Sequence, residues 1–173
     1  METIIISLIV GISASFLASY AFLHFFLLKK VPTLTLSKQI CKERGKDVKY
    51  FFKFVNHTNV PIFDIWLRAV LCTPVGKTDG QDVRARELKL RSSRYSHVPC
   101  EQKTDHNAIH AVQVRCLDDL EELWISESSY VRFEVVAKHE LSGFSKVYTE
   151  TYHSKELIVE GKFGFGNELN VNN

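Results

Sequence analysis

Residues Ile4 to Leu28 form a run of 25 residues without a single Asp, Glu, Lys or Arg. As a helix that run is about 37 Å long, more than the roughly 30 Å of a bilayer's hydrocarbon core. Nothing else in the chain restricts its fate so much, because such a segment is more stable in lipid than in water. A cleaved leader would need a basic start and an apolar stretch about half as long. Here Met-Glu-Thr precedes the run, and no small-x-small signature precedes Lys29. Residues 1–30 therefore read as a transmembrane anchor. Lys29, Lys30, Lys38, Lys42 and Arg44 follow it, while only Glu2 is charged ahead of it. The positive-inside rule then predicts a single-pass protein of the inner (plasma) membrane with its C-terminal domain in the cytoplasm. Cys41, Cys72, Cys100 and Cys116 are scattered, without CxxC pairs, as reduced thiols in that compartment would be.

Roughly 140 residues remain, enough for one domain with its own core. A net charge of +2 excludes a protein-wide field aimed at nucleic acid or an acidic partner, so any basic site must be local. Pro32 should end the helix. Beyond it the hydrophobic period is two. Thr33–Ser37, Val48–Asn56, Pro61–Cys72, Val83–Arg91, Ile109–Leu117, Tyr130–His139, Phe144–Tyr152 and Leu157–Phe163 read as strands. Thr73–Gly80 and Ser92–Asn107 read as loops, Asp118–Glu122 as an acidic turn, and residues 166–173 as a frayed polar tail. The expected fold is mainly β: an antiparallel β-sandwich at residues 31–165 behind one transmembrane α-helix.

The stretch SSYVRFEVVAKHELSGFSKVYTETYHSKELIVEGKF ends on Tyr152, Lys155-Glu156, Leu157-Ile158, Gly161 and Phe163. Earlier, YFFKFVNHTNVPIFDIWLRAVL carries Lys53 and Asn56, and Asp118-Asp119 form an acidic turn. In this order, over about residues 48–163, these features resemble the cytoplasmic domain of inward-rectifier potassium channels. The resemblance implies an immunoglobulin-like sandwich and, by analogy, assembly into a tetramer. There is no TVGYG filter, pore helix or second span, so selective conduction by this chain is not implied.

Two sets of residues could carry function. Ser7, Gly11, Ser15 and Ser19 recur every four residues in the span, a spacing that lets helices approach closely and self-associate; small residues are also simply common in such helices. His24 near the far end reads as an interfacial histidine rather than a pore group. The second set is basic. Arg84, Arg86, Lys89, Arg91 and Arg94 lie within eleven residues, followed by Tyr95 and His97. Guanidinium forks suit phosphate, and Tyr95 or His97 could stack on a base. A solvated face paired with Glu87 and Asp82 is the competing reading, and contact with anionic headgroups beside Lys29 and Lys30 is a variant. No HExxH, G-x-S-x-G, P-loop or paired-cysteine zinc spacing occurs, and His106/His110, Cys100/His97 and Asp118–Glu122 form no oriented catalytic or metal set. The chain is not expected to be an enzyme or to hold a cofactor or metal. Its architecture resembles small CRISPR-associated membrane proteins activated by cyclic tetra-adenylate. That likeness implies a homo-oligomeric effector in the lipid bilayer, with a cyclic oligonucleotide as ligand. The alternative is a membrane-tethered interaction module without channel activity.

Overall fold

The computed structural model describes residues 2–27, 31–45, 47–77, 80–102 and 106–172. Lys29 and Lys30, and with them much of the expected junction, lie outside the described residues. Helix α1 (Glu2–Ala21) continues through a π-helical segment at Phe22–Leu27. Twelve strands follow among the described residues: β1 (Leu34–Leu36), β2 (Ile40–Glu43), β3 (Lys49–Asn56), β4 (Ile62–Lys77), β5 (Gly80–Glu87), β6 (Arg94–Val98) and β7 (Ala111–Cys116), then a one-turn helix α2 (Leu120–Leu123), then β8 (Tyr130–His139), β9 (Ser145–Tyr152), β10 (Ile158–Glu160), β11 (Lys162–Phe163) and β12 (Val171–Asn172). The protein is mainly β, with one N-terminal apolar helix. That helix, Glu2–Phe25, is long and apolar enough to cross a membrane, and none of it is buried.

The strands form two five-stranded sheets and a small ribbon. The first sheet has the order β1-β3-β2-β10 with β7 also on β3; the second has the order β5-β4-β8-β9 with β6 also on β4; β11 pairs with β12. The two large sheets share one core. Phe52 of β3 stacks on Phe133 of β8 with ring centroids 4.7 Å apart, and Tyr152 of β9 packs beside them. Alternation explains the assignment. Tyr50, Phe52 and Phe54 join the core, while Phe51, Lys53 and Val55 point to the opposite face of the first sheet. Each large side chain so buried contributes about 1.5–3 kcal/mol.

The structure departs from the sequence expectations at several places. The ladders are not antiparallel throughout, because β10 pairs with β2 in parallel, Ile158 opposite Ile40. Within the expected loop at Thr73–Gly80, Thr73–Lys77 instead continues β4 into a long hairpin in which Pro74 pairs with Val83, while Thr78 and Asp79 lie outside the described residues. The strand expected through Arg91 stops at Glu87. Leu88 N still donates to Ala69 O of β4, but Leu90 then bridges to Cys116 of β7 and Arg91 N donates to Arg115 O. Residues 88–91 thus cross from one sheet to the other. Strand β6 falls inside a stretch expected to be irregular; its residues, RYSHV, alternate only weakly because four of the five are at least partly exposed. The acidic turn contains α2, capped by Asp119, whose side chain accepts from Glu121 N and Glu122 N.

The tail differs most. Residues 164–172 are polar yet tied down. Ser37 Oγ donates to Leu169 O (2.7 Å), Gln39 Oε1 accepts from Val171 N (2.8 Å), and Lys53 Nζ donates to Gly164 O and Glu168 O, each at 2.7 Å. Gly161, at φ +144°, lies so close to Asn172 that a Cβ would meet its carbonyl at 2.2 Å.

Candidate functional site

Strand β4 is the ruler for the basic residues. Down its free side, His97 stands opposite Phe63, Tyr95 opposite Ile65 and Arg94 opposite Trp66; further along, Arg86 stands opposite Leu71 and Arg84 opposite Thr73. From Phe63 to Thr73 is about 33 Å at strand rise. What is a cluster in sequence is therefore a line in space. Directly opposed residues share a face, so Arg84 and Arg86 lie on the side of Leu71, which joins the core; both are exposed because the hairpin runs past it. Lys89 and Arg91, also exposed, sit on the segment that crosses between the sheets. Arg84, Arg86, Lys89 and Arg91 make no ion pair with any described residue.

Arg94 and His97 belong to a different neighbourhood. The Arg94 guanidinium lies 3.7 Å above the Trp66 ring, and His97 stacks on Phe63 at 6.0 Å. Tyr95 is half-buried against the core, so its ring already has a packing partner. Trp66, Asp64 and Arg68 belong to no motif in the sequence. Asp64 sits at a bulge in β4 with φ +49°, a conformation Asp tolerates better than most residues, and accepts from Trp66 Nε1 at 2.9 Å. That hydrogen bond, ahead of the nearby Lys138, holds the Asp64 carboxyl below its ordinary value. Trp66, Arg68, Glu87, Arg94, Glu134 and Val136 line a groove of about 370 Å³ on the outer face of the second sheet. The alternation of PIFDIWLRAVLC already puts Trp66 and Arg68 out of phase with Leu67 and Ala69.

The carboxylates of the acidic turn are engaged locally. Asp118 Oδ2 accepts from Lys89 N (2.7 Å), and Asp119 Oδ1 accepts from Tyr50 OH (3.0 Å). The Glu122 N–H, with smaller help from Tyr50, lowers the Asp119 carboxyl, while burial raises the Tyr50 hydroxyl. His110 Nε2 is 2.8 Å from Asn167 Oδ1, which adds a tie to the tail. All four cysteines are free; burial pushes the Cys41 and Cys116 thiols up to about 11. Among the described residues no three His, Cys, Asp or Glu side chains converge on a metal-sized site.

On α1, Ser7, Gly11, Ser15 and Ser19 lie along one shallow groove of about 480 Å³, flanked by Leu8, Ile12 and Phe16. Ser7 Oγ and Ser15 Oγ donate to the carbonyls of Thr3 (2.8 Å) and Gly11 (2.9 Å). Those two hydroxyls are thereby satisfied within their own helix. No protein-family model and no curated protein matches the chain.

Proposed function

We propose that this chain is an oligomeric single-span membrane effector. Its cytosolic, immunoglobulin-like β-sandwich senses an anionic ligand, a cyclic oligoadenylate in antiviral defence, and the helices alter membrane permeability in response. One observation carries the ligand: Arg84 and Arg86, exposed two residues apart on one face of β5, have no ion-pair partner among the described residues, and neither do the exposed Lys89 and Arg91 on the segment that follows. Like charges so close on one strand repel one another, and an anion bound at Arg84 and Arg86 relieves that repulsion. Membrane placement rests on α1 and on the basic residues after it; the four free thiols agree with a reducing compartment. Assembly rests on the groove along Ser7, Gly11, Ser15 and Ser19. A ligand shifts such an assembly only if it binds one arrangement more tightly than the other.

The full chain in nanodiscs, titrated with cyclic tetra-adenylate in a calorimeter, tests this. Binding should weaken steeply with salt. The double substitution Arg84→Ala, Arg86→Ala should weaken it about tenfold or more, the loss of one charge-assisted hydrogen bond being sufficient for that. Absence of binding by any cyclic oligoadenylate would end the ligand assignment.

A second reading is a tethered protein-interaction module. It is favoured by the outer groove around Trp66, a side chain 49% exposed, and by β5, whose outer edge pairs with no other described strand. Ligand-triggered dye release from vesicles separates the two, since only the effector permeabilises.

A further inference from the structure

The turn between β8 and β9 lies on the side from which the anchor arrives. Tyr148 OH donates to Pro32 O, and Tyr152 OH donates to Ser37 O at 2.7 Å. Four residues of β9 are thus matched by five of the chain leaving the anchor, and both run in the same direction. Following β9 backwards from Tyr148 therefore leads to the end of the domain at which Pro32, close in sequence to the anchor, enters it. Phe144 lies four residues back, about 13 Å at strand rise, and Leu141 beyond it. Pro32 itself is five residues from Leu27, a reach of at most about 17 Å. A second loop shares this end. Asn56, which pairs with Leu34 at the start of β1, donates its N–H to His110 O (3.0 Å), so Ile109 is placed there too.

These loops carry apolar side chains where a soluble hairpin would place polar ones. Leu141 is 66% exposed, Ile109 55% and Phe144 39%. The β8–β9 turn is closed by its own hydrogen bonds. Gly143 N donates to His139 O (3.0 Å), His139 N to Phe144 O (2.9 Å), Leu141 N to His139 Nδ1 (3.2 Å), and Phe144 N to Ser142 Oγ (3.2 Å). Gly143, at φ +69°, supplies the left-handed residue such a closure needs. With the backbone so satisfied, Leu141 and Phe144 project outward from a stiff tip. Lys138 and Lys146 flank it, the former 3.6 Å from Asp64 and the latter over the Tyr148 ring; Glu140 is the acidic residue of the turn itself.

We propose that this turn, with Ile109, is a second lipid contact, and that its occupant is the anionic leaflet from which the chain's own helix emerges. Apolar tips flanked by lysines and a tyrosine suit the zone between headgroups and acyl chains. The proposal rests on reading α1 as membrane-spanning. It leaves the basic hairpin of Arg84 and Arg86 at the opposite end of β4, away from that surface.

Leu141→Trp in the full chain, placed in nanodiscs of 3:1 phosphatidylcholine and phosphatidylglycerol, tests it. Ile125→Trp is the control, being 85% exposed at the other end of β8; the unsubstituted chain supplies the background of Trp66 and Trp124. Lipid brominated near the headgroup end should quench Leu141→Trp at least about threefold more than Ile125→Trp. Equal quenching overturns the proposal. A blue shift of Leu141→Trp without quenching also overturns it, because a protein surface then covers the turn. Carbonate-resistant flotation of the full chain reports the anchor separately. Failure to float sinks the spanning reading, whereas flotation without quenching sinks only the lipid contact.

Discussion

The two sheets have opposite outer faces. On the first, Cys41, Lys53 and Val55 are almost completely buried; on the second, Trp66 and Val147 are about half exposed and Arg68 is exposed. A lysine is sealed where a tryptophan is open, the reverse of ordinary partition. The difference comes from the covering segment and not from the strands. Residues 161–172 lie over the first sheet and bring carbonyl oxygens: Gly161 O accepts from Cys41 Sγ, Gly164 O and Glu168 O accept from Lys53, and Phe163 packs within 5.8 Å of the same ammonium. A face covered by backbone acceptors needs a donor beneath it, and lysine is one whose stem can also be buried. On the second sheet the outer face is open only around Trp66 and Arg68, where Arg94 shields Trp66; further along β4, Val70 and Cys72 on the same face are buried.

The largest effect that could break this contrast is at Lys53. Lys53→Ala leaves two carbonyls without their donor and opens a void, and should cost about 2–4 kcal/mol in denaturant unfolding. Its pH dependence sharpens the point. Burial lowers the Lys53 ammonium from 10.5, so its contribution to stability is complete above 10.5 and is lost as pH falls through the lower folded value. Stability should therefore rise with pH across that window, and Lys53→Met should remove that part of the slope. A flat profile in the unsubstituted chain would mean that the ammonium is solvated. Ser37→Ala comes next. Ser37 is fully buried and donates to Leu169 O, so about 1 kcal/mol should be lost, with faster proteolysis of the tail. Trp66→Ala should change stability least, within about 0.5 kcal/mol, since its face is open. A loss above 2 kcal/mol there would show the outer groove to be structural.

Much of the fold is legible in the sequence, and the reasons are local. YVRFEVVAKH and FSKVYTETY alternate cleanly around Ser142-Gly143, and they form the β8–β9 hairpin. VKYFFKFVN gives β3 because aromatic and β-branched residues favour a pleated, half-buried surface. What escapes notice depends on remote partners. Ile40–Glu43 is too short to show a period, and it becomes β2 only between β3 and β10. The tail looks unstructured because its partners, Ser37, Gln39 and Lys53, lie far back in the chain. The same holds for the candidate site. Sequence spacing gathers Arg84 through His97, but the switch at residues 88–91 and the bulge at Asp64 set them on separate surfaces. The partnership of Trp66 with Arg94 crosses two strands, which no short-range spacing encodes.

The parallel pairing of Ile40 with Ile158 has a consequence for how the molecule is made. Those partners are more than a hundred residues apart, so at ordinary synthesis rates β2 waits on the order of ten seconds for β10 to be translated. During that interval the apolar helix has already left the ribosome, while Ile40 and Phe52 lack part of their shelter. Closure is then a late, long-range event of the kind that limits folding speed. Chaperone dependence during biogenesis should concentrate on that unfinished first sheet.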